Sequence, residues 1–339
     1  MKAAYYSGNK SFAVKPATEA PKPAAKEVLL KVAYCGVCGT DIHIFHGNMD
    51  QRVNIPQVIG HEVSATVAKI GAQVTSVAPG DPVVVRPLQN GLPHPSDAGY
   101  THIGKNLKFI GIDTPGGMQS YWTVPEYTLH KIPKSLSLEK AALVEPLAVA
   151  CHDVRLADIS EGDHAVVLGG GPIGMLVAMV AQKAGAKVLI SELNRKRLHL
   201  ASSLGFAVCN PVEEELVKVT EEFTESKMAD VVFEVAGVQA ALDTMPHLLR
   251  VRGKIVMVAI HPQSRPINLF QFFWKELQMI GARVYEPEDF EQSIALLNNQ
   301  ELPFEQLITA VAPLEEIQNI FESIDKNPSG MKYLLKIND

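Results

Sequence analysis

A strand, a glycine loop and an apolar helix in direct succession constrain this chain more than any other stretch. Residues 165–168 (Ala-Val-Val-Leu) run straight into Gly169-Gly-Gly171-Pro-Ile-Gly174, and the apolar segment 173–184 follows. Glycines alone are a weak signal. Between a strand and a helix they match the turn that cradles a dinucleotide. Gly169 permits the tight turn, Gly171 lets backbone approach a pyrophosphate, and Gly174 allows close helix packing. Pro172 and Ile173 open the helix, whose unpaired amides face phosphate charge. Glu192 lies 18 residues beyond Gly174, at the end of the next strand. An acid there accepts both ribose hydroxyls and repels a 2'-phosphate, which favours NAD over NADP. Arg195, Lys196 and Arg197 temper that preference. Arg197 reads either as a neighbour of the adenosine ribose or as a surface helix residue.

The surrounding pattern supports a parallel sheet. Strand-like runs at 165–168, 187–191, 230–235 and 254–259 alternate with helix-length segments at 173–184, 195–204, 212–224 and 238–249. Such alternation predicts βαβ units. The first third differs. Its β-branched runs at 27–33, 62–70 and 82–86 are punctuated by Pro56, Gly71, Pro79-Gly80 and Pro115-Gly116-Gly117, as in a small barrel or sandwich. A helix over 287–299 and a strand over 330–337 close the chain.

At 339 residues, two domains are expected. No apolar run approaches the roughly 18 residues of a membrane span, and no apolar core follows Lys2 as in a secretory signal. A net charge of -6 argues against a nucleic-acid partner. The four cysteines frame no disulfide set, so a cytoplasmic location is expected.

A second cluster carries chemistry. Cys35-Gly-Val-Cys38-Gly-Thr40-Asp41-Ile-His43 and Gly60-His61-Glu62 supply sulfur, nitrogen and oxygen donors of the mixture zinc accepts. As a redox dithiol or half a zinc knuckle, Cys35 and Cys38 need a second cysteine pair or a thioredoxin-like setting. The next cysteine is Cys151, so a single thiolate supplemented from elsewhere fits better. Asp41 is spaced to accept the free ring N–H of His61 and fix its tautomer. Thr40 is placed to bond a substrate oxygen. His43 reads as a proton shuttle or as an ordinary surface histidine.

Taken in order, residues 36–43, Gly60-His61-Glu62, 116–121 (Gly-Gly-Met-Gln-Ser-Tyr), Glu145-Pro-Leu147 and the glycine loop resemble the zinc-dependent medium-chain dehydrogenases, within them the polyol and sorbitol branch. The resemblance runs along nearly the whole chain. It implies that Cys38, not Cys35, binds zinc with His61 and Glu62, and that Glu145 contacts the metal or its water. Local context alone would make Glu145 a helix-start or interdomain carboxylate. It also implies a proton relay through Thr40, a cofactor ribose hydroxyl and His43. The implied fold is α/β: a GroES-like β-barrel catalytic domain over 1–147, completed by 287–339, plus a doubly wound Rossmann NAD-binding domain over 148–286. Nicotinamide would meet zinc in the cleft between them.

The implied reaction is reversible oxidation of a secondary alcohol of a polyol, sugar or sugar acid to a ketone. A cysteinate and one carboxylate already cancel the charge of Zn²⁺, so a second bound carboxylate would weaken the Lewis acid. Exchange of one glutamate keeps the open position catalytic zinc needs. Many relatives hold a structural zinc with four cysteines, but residues 86–111 contain none, and the matching places are Pro95, Ala98, Thr101 and Lys108. One catalytic zinc and no structural zinc are therefore expected.

Two other functions compete. A threonine-type amino-alcohol dehydrogenase shares these motifs, whereas a catalytically silent NAD-binding regulator need not keep Thr40, Asp41 and His43. Arg86, Lys105 or Arg283 would suit an anionic substrate, though solvation explains each equally well. Dimeric relatives suggest a homo-oligomer, dimer or tetramer, with 254–260 and 278–284 at its edge.

Overall fold

The computed structural model describes residues 1–16, 20–300 and 302–338. They form two compact units, one of Met1–Pro146 with Glu286–Asp339 and one of Leu147–Tyr285. Among the described residues no helix is long and apolar enough to cross a membrane.

The second unit is built on six strands, in spatial order Ala207–Cys209, Lys187–Ser191, His164–Leu168, Ala229–Glu234, Leu249–Met257 and Gln278–Gly281. Every pair is parallel. Numbered along the chain, the order is 3-2-1-4-5-6, the doubly wound Rossmann arrangement in which ligands bind where the order reverses. The reversal falls at His164–Leu168, the strand that feeds the glycine loop. Val166, Leu189, Val232 and Ile255 are buried in the core of this sheet, as expected of parallel strands covered on both faces.

Two helices differ from the sequence expectation. The segment expected over 212–224 becomes helical only at Leu216–Phe223. Asn210 holds the preceding residues in a turn, its side chain accepting the Val212 amide and its carbonyl those of Glu213 and Glu214. Local side-chain bonds of this kind compete with a helix start. The segment expected over 238–249 stops at Thr244, passes through a 3-10 turn at Met245–His247, and is already strand at Leu249. Pro246 lacks the amide a continuing helix needs.

The first unit holds a seven-stranded mixed sheet. Its path runs Leu129–Lys131, Pro82–Val85, Glu62–Ile70, Glu27–Gly36, Lys332–Lys336 and Ile308–Pro313, with Tyr121–Pro125 also paired to Glu27–Gly36. Strand Glu27–Gly36 thus lies between strand Glu62–Ile70 and the last described strand, Lys332–Lys336. Its final residue, Gly36, faces Glu62 on one side and Leu334 on the other. Helices Gly39–Phe45, Val144–Ala157 and Ile317–Lys326 were not singled out from sequence.

The cysteine-free residues 86–111 are tied together through a carboxylate. Asp97 accepts the amides of Lys105 and His94, each at 2.9 Å. Those two bonds hold its pKa below the usual carboxylate range. Two 3-10 turns, Pro95–Asp97 and Thr101–Ile103, are joined through it.

Candidate active site

Strand ends and one short helix bring the candidate ligands together. Cys38 follows the end of strand Glu27–Gly36 and precedes helix Gly39–Phe45, while Glu62 opens the adjacent strand. Donor atoms of Cys38, His61 and Glu62 all lie within 4.8 Å of one another. Three donors on one zinc, with bonds of about 2.0–2.3 Å, stand about 3–4 Å apart, so the set suits a single ion. His61 and Glu62 are buried, and Cys38 is half-buried.

Glycine makes room for the carboxylate. A Cβ on Gly36 would sit 2.0 Å from Glu62 Oε2, so only the missing side chain lets Glu62 lie across the strand end. Cys35, on the same strand, is fully buried, and burial pushes its thiol well up. A thiol kept protonated in apolar surroundings is a poor metal ligand. Among the described residues it is Cys38, not Cys35, that stands in the donor group with His61 and Glu62.

The electrostatics favour a cation. Burial alone would push the His61 imidazole down, but Asp41, Cys38 and Glu145 outweigh it and hold its pKa well above the usual value. Glu62 Oε2 is buried and has no hydrogen-bond partner. An orphaned carboxylate oxygen beside a thiol and an imidazole is the donor set a divalent metal satisfies.

Asp41 differs from expectation. Its Oδ1 is 3.6 Å from His61 Nδ1, ion-pair range and too long for a hydrogen bond. Its other oxygen accepts the Cys38 amide at 2.9 Å. Asp41 therefore fixes the backbone of Cys38 while facing the ring of His61.

Glu145 is buried in the first turn of helix Val144–Ala157. It stands outside the three-residue cluster, though its charge acts on both His61 and Lys332. Thr40 is half-buried and His43 exposed on helix Gly39–Phe45. Residues three apart share one helix face.

Lys332 was missed from sequence. It is 2% exposed, and its Nζ donates to Glu62 Oε1 at 2.6 Å and to the Val37 carbonyl at 3.0 Å. Burial would lower the ammonium pKa, but Glu62 and Cys38 outweigh it and raise it. The signal was present: a lysine inside the apolar strand run Met331-Lys-Tyr-Leu-Leu335 must find a partner if it is buried.

In the second unit, the glycine loop is geometrically obligatory. Gly169 has φ +103°, and a Cβ on Gly174 would lie 1.8 Å from the Gly169 carbonyl oxygen. Helix Pro172–Lys183 starts immediately behind, with Gly171 as its cap. Pro172 has no amide to lose there, and Ile173 and Gly174 supply open donors. Glu192 accepts the Gly170 amide at 2.9 Å and those of Leu193 and Asn194 at 2.7 and 2.8 Å. Arg197 approaches Glu192 to 3.7 Å and would stand 3.5 Å from a Cβ on Gly171. It belongs to the loop's surroundings. Acceptors, amides and a backbone cradle fit a dinucleotide.

Comparison with known proteins agrees. The alcohol dehydrogenase GroES-like domain family matches residues 24–134, and the zinc-binding dehydrogenase family matches residues 172–299. The 2-dehydro-3-deoxy-L-galactonate 5-dehydrogenase of Pseudoalteromonas atlantica is 52% identical over 339 residues, covering 100% of this chain and 99% of that one. Galactitol-1-phosphate dehydrogenase from Escherichia coli superposes with a TM-score of 0.93 at 25% identity, covering 99% and 100% of the two chains. A zinc-binding dehydrogenase candidate from Sinorhizobium meliloti 1021, solved with NADP, gives 0.91 at 28% identity over 99% and 98%. With a GroES-like unit, a Rossmann sheet and a relative at 52% identity along its whole length, the chain belongs to the zinc-binding alcohol dehydrogenases.

Proposed function

We propose that this dehydrogenase oxidises a secondary alcohol of a sugar acid or polyol to the ketone, with NAD as hydride acceptor and one zinc per chain. The observation that carries the reading is the Cys38, His61 and Glu62 cluster with an orphaned Glu62 oxygen, in a chain 52% identical to a sugar-acid dehydrogenase. Zinc at these residues would supply Lewis acidity toward the substrate oxygen, and the nicotinamide would take the hydride.

The chain's own residues do the rest. Asp41 steadies the Cys38 backbone and faces His61. Glu145, close enough for its charge to act on His61 and Lys332, would supply a further carboxylate beside the metal. Thr40 would hydrogen-bond the substrate alcohol and take up its proton, and exposed His43 on the same helix would pass it to solvent. Gly169, Gly171, Pro172, Ile173 and Gly174 seat the pyrophosphate, while Glu192 takes the ribose hydroxyls. The carboxylate of Glu192 supports NAD over NADP, although Arg197 beside it reduces the repulsion of a 2'-phosphate. Residues 86–111 hold no cysteine for a second metal site, which supports a single zinc.

A homo-oligomer is part of the same proposal. Phe273 and Trp274 on helix Leu269–Lys275 are 78% and 70% exposed, and Gln278–Gly281 is the edge of the parallel sheet. Aromatic side chains beside an open strand edge suit a second copy of the chain.

The experiment is an absorbance screen at the NADH band, with zinc-loaded protein offered 3-deoxy aldonates, polyols and L-threonine, each with NAD⁺ and NADP⁺. Turnover of a sugar acid or polyol with NAD⁺ is expected. Stereospecific turnover of L-threonine alone would select the amino-alcohol reading. NADH binding without turnover of any alcohol would select the silent regulator.

A further inference from the structure

The two oxygens of the buried Glu62 carboxylate have different fates. Oε1 is held by Lys332 at 2.6 Å, and Oε2 has no partner. Lys332 is itself fixed by the Val37 carbonyl at 3.0 Å, one residue before Cys38. Its strand pairs with Glu27–Gly36, and the Tyr333 carbonyl accepts the Val37 amide at 2.9 Å. A rigid backbone ladder therefore sets where the ammonium stands relative to Cys38 and Glu62.

We propose that Lys332 is a positioning residue that restricts Glu62 to one donor oxygen and supplies the positive charge that lets a second carboxylate, Glu145, approach without making the centre anionic. The inference rests on the zinc-dependent reading above. A cysteinate and two carboxylates exceed the charge of Zn²⁺ by one, and one ammonium removes the excess. Clamping Oε1 also prevents Glu62 from chelating through both oxygens, so a coordination position stays open for substrate.

The prediction has an unusual signature: tighter metal with slower chemistry. In Lys332→Met, Glu62 loses its built-in counter-charge and both oxygens become available. The apparent zinc dissociation constant, measured by chelator competition, should fall by about tenfold, the scale on which groups bonded to ligands act. The Co²⁺-substituted protein should show weaker visible d–d absorption, as its coordination number rises, and kcat should drop. Zinc should also raise the melting temperature of Lys332→Met by more than it raises that of the unsubstituted protein.

Glu62→Gln supplies the coupled background. There, adding Lys332→Met should leave the Co²⁺ spectrum unchanged, because the residue through which the lysine acts has lost its charge. If Lys332→Met does not fold, Glu62→Gln/Lys332→Met, which removes both buried charges, is read against Glu62→Gln alone.

Weaker or unchanged zinc binding in Lys332→Met with the unsubstituted Co²⁺ spectrum would overturn the proposal, as would a spectral change that persists in the Glu62→Gln background. Failure of the parent reading looks different: the unsubstituted protein would then show no Co²⁺–thiolate absorption and no zinc-dependent melting shift.

Discussion

Cys38→Ser is expected to empty the metal site and reduce kcat/KM by about a thousandfold or more. The thiolate is the softest of the three donors gathered within 4.8 Å, and a serine hydroxyl at neutral pH does not replace its charge. Loss of Lewis-acid polarisation removes several kcal/mol of transition-state stabilisation, and about 4 kcal/mol corresponds to about three decades in rate. NADH binding should survive, since the glycine loop lies in the other unit. Fluorescence titration with NADH and metal analysis on the same sample check both halves. A Cys38→Ser protein that keeps its zinc and its turnover would transfer the ligand role elsewhere. Cys35→Ser is the informative partner: Cys35 is buried and its thiol pushed up, so zinc content should be retained.

Gly174→Ala should weaken dinucleotide binding by up to about two orders of magnitude while sparing zinc. The new Cβ would stand 1.8 Å from the Gly169 carbonyl oxygen, a backbone atom at a glycine already at φ +103°. No side-chain rotation relieves that contact, so the loop and the helix start behind it must separate. Overpacking of this kind costs about 1–3 kcal/mol, or about 5- to 150-fold in affinity if the strain falls on the bound state. Isothermal titration with NAD⁺ reads the affinity, and zinc analysis verifies that the first unit is intact. An unchanged affinity would mean that this loop does not seat the pyrophosphate.

The second unit was legible in sequence because its constraints are local. A strand leading into glycines and a helix leaves little freedom, and Gly174 sits against Gly169 only five residues away. The segment over 238–249 departs from the expected helix for a local reason too: Pro246 lacks the amide a continuing helix needs.

The metal centre divides differently. Cys38, His61 and Glu62 were readable as a donor set, yet spacing did not choose between Cys35 and Cys38. The fold keeps the Cys35 thiol in the sheet interior and gathers Cys38 with His61 and Glu62. Lys332 was illegible because its partner lies 270 residues away, and only the pairing of the last strand with Glu27–Gly36 brings the two together. Asp41 shows the same limit on a smaller scale. Its spacing from Cys38 suggested a bond to His61, whereas the nearer amide of Cys38 takes one oxygen and leaves the other 3.6 Å from the ring.

Substrate recognition is the part that local chemistry reaches least. A hydroxyl-bearing chain is bound by many weak, dispersed contacts, and no short motif encodes them. The sugar-acid reading therefore draws on similarity along the full length of the chain.

Zinc K-edge X-ray absorption on the stoichiometrically loaded protein tests the metal centre most directly. One sulfur at about 2.3 Å together with nitrogen and oxygen donors at about 2.0–2.2 Å is the predicted shell, with the sulfur lost in Cys38→Ser. A shell without sulfur, or with two or more sulfurs, would contradict it.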